Sequence, residues 1–417
     1  MAALRPPGLK RFFFVVLALW LVVLAVRMTL MLSAMEQASG GLPFGVFVMP
    51  DGKISAQDFS YNLIFLHGIQ DRVVPHPYRI HEQETMVRQL IPSGHTGMTH
   101  AYSPVTLVLA QPLLALSGRY AYVLYLALNV GALLLLFRWV LLPPVESIWQ
   151  IAALAVGLFS QCLLLIFALG QTALLTTALI GLFWLLLRDD RRQQMGWIGD
   201  LARGFFLWAI CFRANLAIIP VVLMLGARDW RGLGWGCTFL LATWAGVQSF
   251  YGGWITGLTD YLYLLNHYNN ADFTPFMRRD YVPGSDDTVR WWFAFDRAAL
   301  LAITAALLIA RWIGRIEASI QFQSMIWAFL LLSPYLLPSE DWILCLLVVE
   351  SRFFATGSIP ALLTKVLVLA GILNLRADVN FPWPVEYPLK LVLCAWMVAE
   401  VIAYSRRAEA EPEAIRS

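Results

Sequence analysis

The sequence is a succession of apolar runs, each close to the length that spans a bilayer. The first runs from Phe12 to about Leu32 behind the basic residues Arg5, Lys10 and Arg11. Others cover 119–137, 148–168, 170–187, 233–251, 293–312, 321–336, 342–354, 358–375 and 387–404. A helix crosses the hydrocarbon core with ~20 residues. Inside lipid the backbone must satisfy its own hydrogen bonds, which for runs of this length means helices. The expected fold is therefore an all-α polytopic membrane protein, a bundle of about 10–13 membrane helices. It forms a single domain over 1–405, with 406–417 as a cytoplasmic tail. Charge agrees with this reading. Asp, Glu, Lys and Arg make up 14% of the 417 residues and hydrophobic residues 59%, whereas a soluble domain needs about 25% charged residues to cover its surface.

Basic residues set the expected orientation, because Lys and Arg stay on the cytoplasmic side. The N-terminal cluster puts the start of the chain inside. The first run is too long for the apolar core of a cleaved leader and is expected to stay as a membrane helix. Residues 34–102 then form a large polar outer loop, in which Ser60–His67 and His81–Leu90 read as short interfacial helices. The cluster Arg188-Asp189-Asp190-Arg191-Arg192 belongs inside. Four crossings after an outer loop would leave it outside. The segment 103–117, short and interrupted by Pro104 and Pro112, is therefore expected to dip in and return. Segment 203–226 poses the same problem, with basic residues at both ends (Arg203; Arg228 and Arg231), and is expected to be a hairpin turning at depth. Residues 252–291 form a second outer loop.

The five cysteines lie singly within apolar runs, which offers neither a disulfide framework nor a zinc site. No phosphate-binding glycine loop, dinucleotide fingerprint or His-Glu-x-x-His pair is present, so a cytoplasmic nucleotide substrate is not indicated. The net charge of +3 is spread over topogenic clusters rather than a basic face, which excludes nucleic acid as a partner.

Polar residues at the outer face or at depth are the candidates for chemistry. Asp58, in Gln57-Asp58-Phe59-Ser60-Tyr61, is a carboxylate at the membrane surface and suits a general base; it reads equally as a solvated loop acid or a helix cap. His100 and Tyr102 precede Ser103-Pro104, where proline opens a helix. Gln171 follows Gly170 between two apolar runs and can both donate and accept hydrogen bonds. Arg213, near Asn215, carries a permanent charge and a planar donor fork suited to phosphate; the competing reading is a buried salt bridge. Glu340 and Asp341 open a helix, where the helix dipole alone favours acids. His267, in Asn266-His267-Tyr268-Asn269-Asn270, lies among amides and aromatic rings that suit sugar hydroxyls or any wet loop.

The order of these features resembles the GT-C superfamily of membrane glycosyltransferases, most closely glycosyltransferase family 87. The matching elements are Asp58-Phe59-Ser60-Tyr61, Tyr102-Ser103-Pro104 with Gln111-Pro112-Leu113, Gly170-Gln171, the Arg213 segment and Leu332-Ser333-Pro334. Where the family often carries Lys-Pro, this chain has Phe212-Arg213-Ala214-Asn215. Where it often carries Asp-His, this chain has Glu340-Asp341-Trp342. The resemblance implies an inverting transfer of a sugar, mannose first among them, from a polyprenyl-phosphate donor to a hydroxyl of a glycolipid or glycan acceptor. Asp58 would be the base. Tyr61, His100, Tyr102, Gln171, Arg213, Asn215, His267, Glu340 and Asp341 would contact the substrates. No cofactor or metal is called for. The implied setting is a bacterial inner membrane with the site facing the periplasm. The rival readings are a transporter or flippase of lipid-linked sugars, for which no two related halves are found, and a non-catalytic relative.

Overall fold

The computed structural model describes residues 7–38, 57–90, 102–188, 195–267, 286–332, 338–374 and 386–410. Among them there is no strand. Three helices are long and apolar enough to cross a membrane by themselves: Phe13–Leu30, Gly118–Leu141 and Ile148–Ala168. The chain is an all-α polytopic membrane protein.

Helix α1 (Pro7–Ala38) is followed by α2 (Gln57–Gln70) and α3 (Ile80–Leu90), the two short helices expected in the first outer loop. Segment 103–117 folds as two fragments, α4 (Val105–Leu109) and α5 (Gln111–Leu114), with Pro112 in the first turn of the second. Helix α6 (Gly118–Leu135) runs on through a π-helical turn, Leu136–Leu141. Helices α7 (Ile148–Leu158) and α8 (Gln161–Leu169) form one broken leg. Ser147 and Gln150 close a reciprocal capping box at its start, and Ser160 recaps the chain after the break by accepting from the Leu163 amide at 3.3 Å. Helix α9 (Ala173–Leu187) follows.

Side-chain contacts fix the direction of each leg. Lys10 Nζ donates to the Pro143 carbonyl at 3.2 Å, Phe13 packs on Phe137 at 5.0 Å, and Trp20 meets Phe167 edge-on at 5.9 Å. Helix α1 thus runs antiparallel to α6 and parallel to the α7–α8 leg. Tyr122 and Tyr125, early in α6, donate to the carbonyls of Phe167 and Gln171 at 2.8 and 2.5 Å. The α carbon of Gly181 lies under Val140 and Leu136, so α9 descends beside α6. Three legs therefore separate residue 118 from residue 187, and 103–117 adds none. Leu187 and Arg188 return to the end of the bundle that holds Lys10, which resolves the parity problem physically.

Segment 203–226 is a hairpin, as its two basic flanks require. Helix α10 (Gly196–Ile210) goes up, a turn follows, and α11 (Ile218–Gly226) comes back before α12 (Trp230–Val247) rises again. The hairpin's ends touch. Arg203, only 1% exposed, donates through Nε to Asp229 at 2.5 Å and through Nη2 to Asp200 at 2.6 Å. Asp229 also caps α12 by accepting from the Gly232 amide at 3.2 Å. Helices α10 and α12 run side by side in parallel, close enough that a Cβ on Gly204 would meet the Gly236 backbone nitrogen at 2.8 Å. Removing one partner of a buried pair strands the other charge. Arg203→Ala is expected to cost about 3–5 kcal/mol, whereas Arg203→Met with Asp229→Asn should recover part of it, because the amide oxygen keeps the Gly232 cap. Thermal unfolding of the purified variants checks both.

The remaining helices are α13 (Trp254–His267), α14 (Asp286–Trp312), α15 (Ala318–Leu332), α16 (Leu344–Glu350) behind a 3-10 turn at Pro338–Ile343, α17 (Ile359–Asn374) and α18 (Glu386–Ala410). At the Lys10 end, Arg188 pairs with Glu350 at 3.3 Å and buried Lys365 pairs with Glu400. The opposite end gathers the Gly170 turn, the tip of the α10–α11 hairpin and the 338–343 turn. All five cysteines are free thiols.

Candidate functional site

Gly170 ends α8 in the left-handed conformation, with φ of 73°. Its missing side chain admits Phe59: a Cβ at residue 170 would sit 2.3 Å from Phe59 Cβ. Phe59 is also flanked by the rings of Tyr122 and Tyr125 at 5.1 and 5.0 Å. Asp58, in the first turn of α2, is thereby anchored beside the Gly170-Gln171 turn, although its own side chain lies outside the described residues. Gly170→Ala combines strained backbone, costing about 1–2 kcal/mol, with a clash against Phe59. It is expected to unseat α2, read as a lowered melting temperature and faster proteolysis of residues 57–90.

Gln171 is buried. Its carbonyl is taken by Tyr125, and its side-chain Oε1 has no hydrogen-bond partner among the described residues. A buried acceptor left open is costly, and the next residue in the same turn is Thr172. Thr172 Oγ1 accepts from Arg213 Nη1 at 3.2 Å, and the Tyr102 hydroxyl accepts from the same nitrogen at 3.3 Å. The guanidinium lies 5.5 Å over the Tyr102 ring and forms an ion pair with Glu340. Arg213 occupies the turn between α10 and α11, at the hairpin tip rather than along a span. It lies about 15 Å along the axis from Arg203 at 1.5 Å per residue.

Tyr102-Ser103-Pro104 reaches this point through Ser103. Its amide donates to the Phe212 carbonyl at 3.3 Å and its hydroxyl to the Cys211 carbonyl at 2.6 Å. The Tyr102 ring stacks on Phe212, and the Tyr102 carbonyl accepts from Tyr78 at 3.1 Å. The outer-loop helices are in turn tied to α13 by Asp260, which accepts from Arg79 Nε at 3.2 Å, with His76 Nδ1 3.3 Å from the same carboxylate.

The adjacent acids at 340 and 341 serve different cations. Glu340 faces Arg213, while fully buried Asp341 meets Lys390 Nζ of α18 at 2.7 Å. Trp342 locks the turn by donating to the Gly157 carbonyl at 2.9 Å. Both acids do lie in the first turn of the 338–343 helix, and each is also held there by a buried ion pair. Tyr61 is buried on α2, and burial raises its phenol above its ordinary pKa. Asn215 lies two residues past Arg213, half-buried, and no hydrogen bond to it joins the set among the described residues. His100 and the side chain of His267 lie outside the described residues. Sequence reasoning did not single out Thr172 or Lys390. The only available signal was that each is a polar residue beside an apolar run.

Together these contacts define an all-α membrane protein with a polar site of paired charges at one end of its bundle, assembled from separated stretches of chain. A family model for glycosyltransferase family 87 matches residues 100–334, more than half of the chain, and the chain belongs to that family: it is a membrane glycosyltransferase. No curated protein and no solved structure matches it.

Proposed function

We propose that the enzyme moves a sugar, mannose first among candidates, from a polyprenyl phosphate to an acceptor hydroxyl at the outer membrane face. The observation that carries this reading is the Arg213 cluster. A guanidinium seated between Tyr102, Thr172 and Glu340 at the tip of a membrane hairpin offers a phosphate a planar, permanently charged donor set. Glu340 serves as its counter-ion, and an incoming phosphate shares the guanidinium with it.

Asp58 accepts the proton of the acceptor hydroxyl. The oxygen attacks the anomeric carbon from the face opposite the phosphate. The bond from that carbon to the phosphate oxygen breaks with its electron pair, polyprenyl phosphate departs, and the sugar is inverted. Arg213 stabilises the charge that grows on the leaving oxygen. Gln171 Oε1, buried and without a hydrogen-bond partner among the described residues, supplies an acceptor for a sugar hydroxyl. The site's residues need no metal for these steps. Tyr61, His100, Asn215, His267 and Asp341 are proposed as further substrate contacts or supports of those contacts. A bacterial inner membrane, with the site facing the periplasm, is the proposed setting.

Purified protein incubated with labelled polyprenyl-phosphate-mannose and a lipid extract tests this directly. Transfer that depends on Asp58 supports the reading, and failure across a panel of polyprenyl-phosphate sugars would remove it.

A further inference from the structure

The turn Pro338–Ile343 lies beyond residues 100–334, the stretch that the family model matches. It is wound as a 3-10 helix, in which successive side chains point about 120° apart. Three consecutive residues are therefore aimed at three different elements. Glu340 pairs with Arg213 at the tip of the α10–α11 hairpin, Asp341 meets Lys390 Nζ of α18 at 2.7 Å, and Trp342 donates to the Gly157 carbonyl of α7 at 2.9 Å. All three are buried, and so is Lys390.

Asp341 depends on Lys390. The carboxylate is fully buried, and among the described residues no well-aligned hydrogen-bond donor reaches either of its oxygens. The Lys390 charge is what offsets its desolvation there. Arg213, already paired with the adjacent residue, presents a donor fork that suits a second carboxylate as well. Turning the 3-10 helix by one residue would bring Asp341 to that fork. A bare Asp341 carboxylate would also stand as a buried anion beside the phosphate proposed for Arg213, where salt screens poorly. With Lys390 in place each acid has its own cation, and the turn keeps one rotation.

Helix α18 has fastenings independent of this pair. Trp327 Nε1 donates to Met397 Sδ at 3.1 Å, and Glu400 pairs with buried Lys365. Loss of the Lys390 charge therefore leaves the helix attached while it alters the electrostatics of the turn.

We propose that Lys390 is a positioning residue of the transferase. By holding Asp341 it fixes the rotation of the 338–343 turn and reserves Arg213 for Glu340 and the donor phosphate. Asp341 is then a support of the site and does not touch the sugar. The inference rests on the reading of Arg213 as the cation of a lipid-linked donor.

The test uses the full chain in phosphatidylcholine nanodiscs, with radiolabelled polyprenyl phosphate as the binding probe and donor and acceptor KM measured in parallel. Lys390→Met is expected to weaken probe binding by about 10–30-fold, as a like charge left within a helical turn of the phosphate does at an effective dielectric of about 20. The donor KM should rise by the same factor and the acceptor KM should stay. Lys390→Arg keeps the charge and should retain most of the binding. Lys390→Met with Asp341→Asn strands neither charge, and it should fold and recover most of the binding. Unchanged binding in Lys390→Met, with only a lowered melting temperature, would reduce the pair to a tether of α18 and overturn the proposal. A double variant as weak as the single one would place Lys390 on the phosphate itself and overturn it too. Failure of the wild type to bind the probe would remove the donor reading together with this inference, whereas wild-type binding that ignores Lys390 removes this inference alone.

Discussion

Asp58→Asn is expected to lower sugar transfer by about 10²–10⁴-fold, the range a general base supplies, with the protein still folded and extracted in normal yield. The fold should survive because the anchoring of α2 depends on Phe59 against Gly170, Tyr122 and Tyr125, not on the carboxylate. The amide keeps the shape and loses only the ability to take the proton. The measurement is single-turnover transfer from a lipid-linked donor, with donor binding measured in parallel. Binding should be retained while the chemical step fails. Loss of both would mean that the helix, rather than the base, had been damaged.

Arg213→Gln is expected to reduce the transfer rate by about 10²–10³-fold, as removal of one preorganised charge stabiliser does. Arg213→Lys should recover part of this, since it restores the charge without the fork. The single neutral variant also strands Glu340, which is 3% exposed, and so carries a stability cost of about 3–5 kcal/mol. The double variant Arg213→Gln with Glu340→Gln separates these effects. It removes both charges, and its melting temperature should return toward that of the wild type while its activity stays low. Recovery of activity in the double variant would show that Arg213 serves only to neutralise Glu340.

The apolar runs made the helices legible, because a run of about 20 residues satisfies its backbone groups in lipid as a helix. Even the two irregular segments could be read from charge. Arg188 and Arg203 demanded the same side as Arg228, and the structure meets that demand with the broken α4–α5 segment and with a hairpin whose ends are tied by Arg203 and Asp229. The site was less legible. Gly170, Tyr102 and Arg213 could be picked out by type, but their meeting depends on how separate legs pack. Thr172 looks like any membrane threonine until the hairpin tip brings Arg213 to its hydroxyl. Glu340 and Asp341 are adjacent in sequence and face opposite cations, which no local rule distinguishes. Lys390 lies in the last helix, far from every motif, and acquires its role only from the burial of Asp341.

The most direct measurement supplies the purified protein, in proteoliposomes containing a lipid extract, with radiolabelled mannose on polyprenyl phosphate or on a nucleotide, each in turn. The account predicts label in the lipid fraction from the polyprenyl-phosphate donor alone. Transfer from the nucleotide sugar instead, with none from the lipid-linked donor, would contradict it.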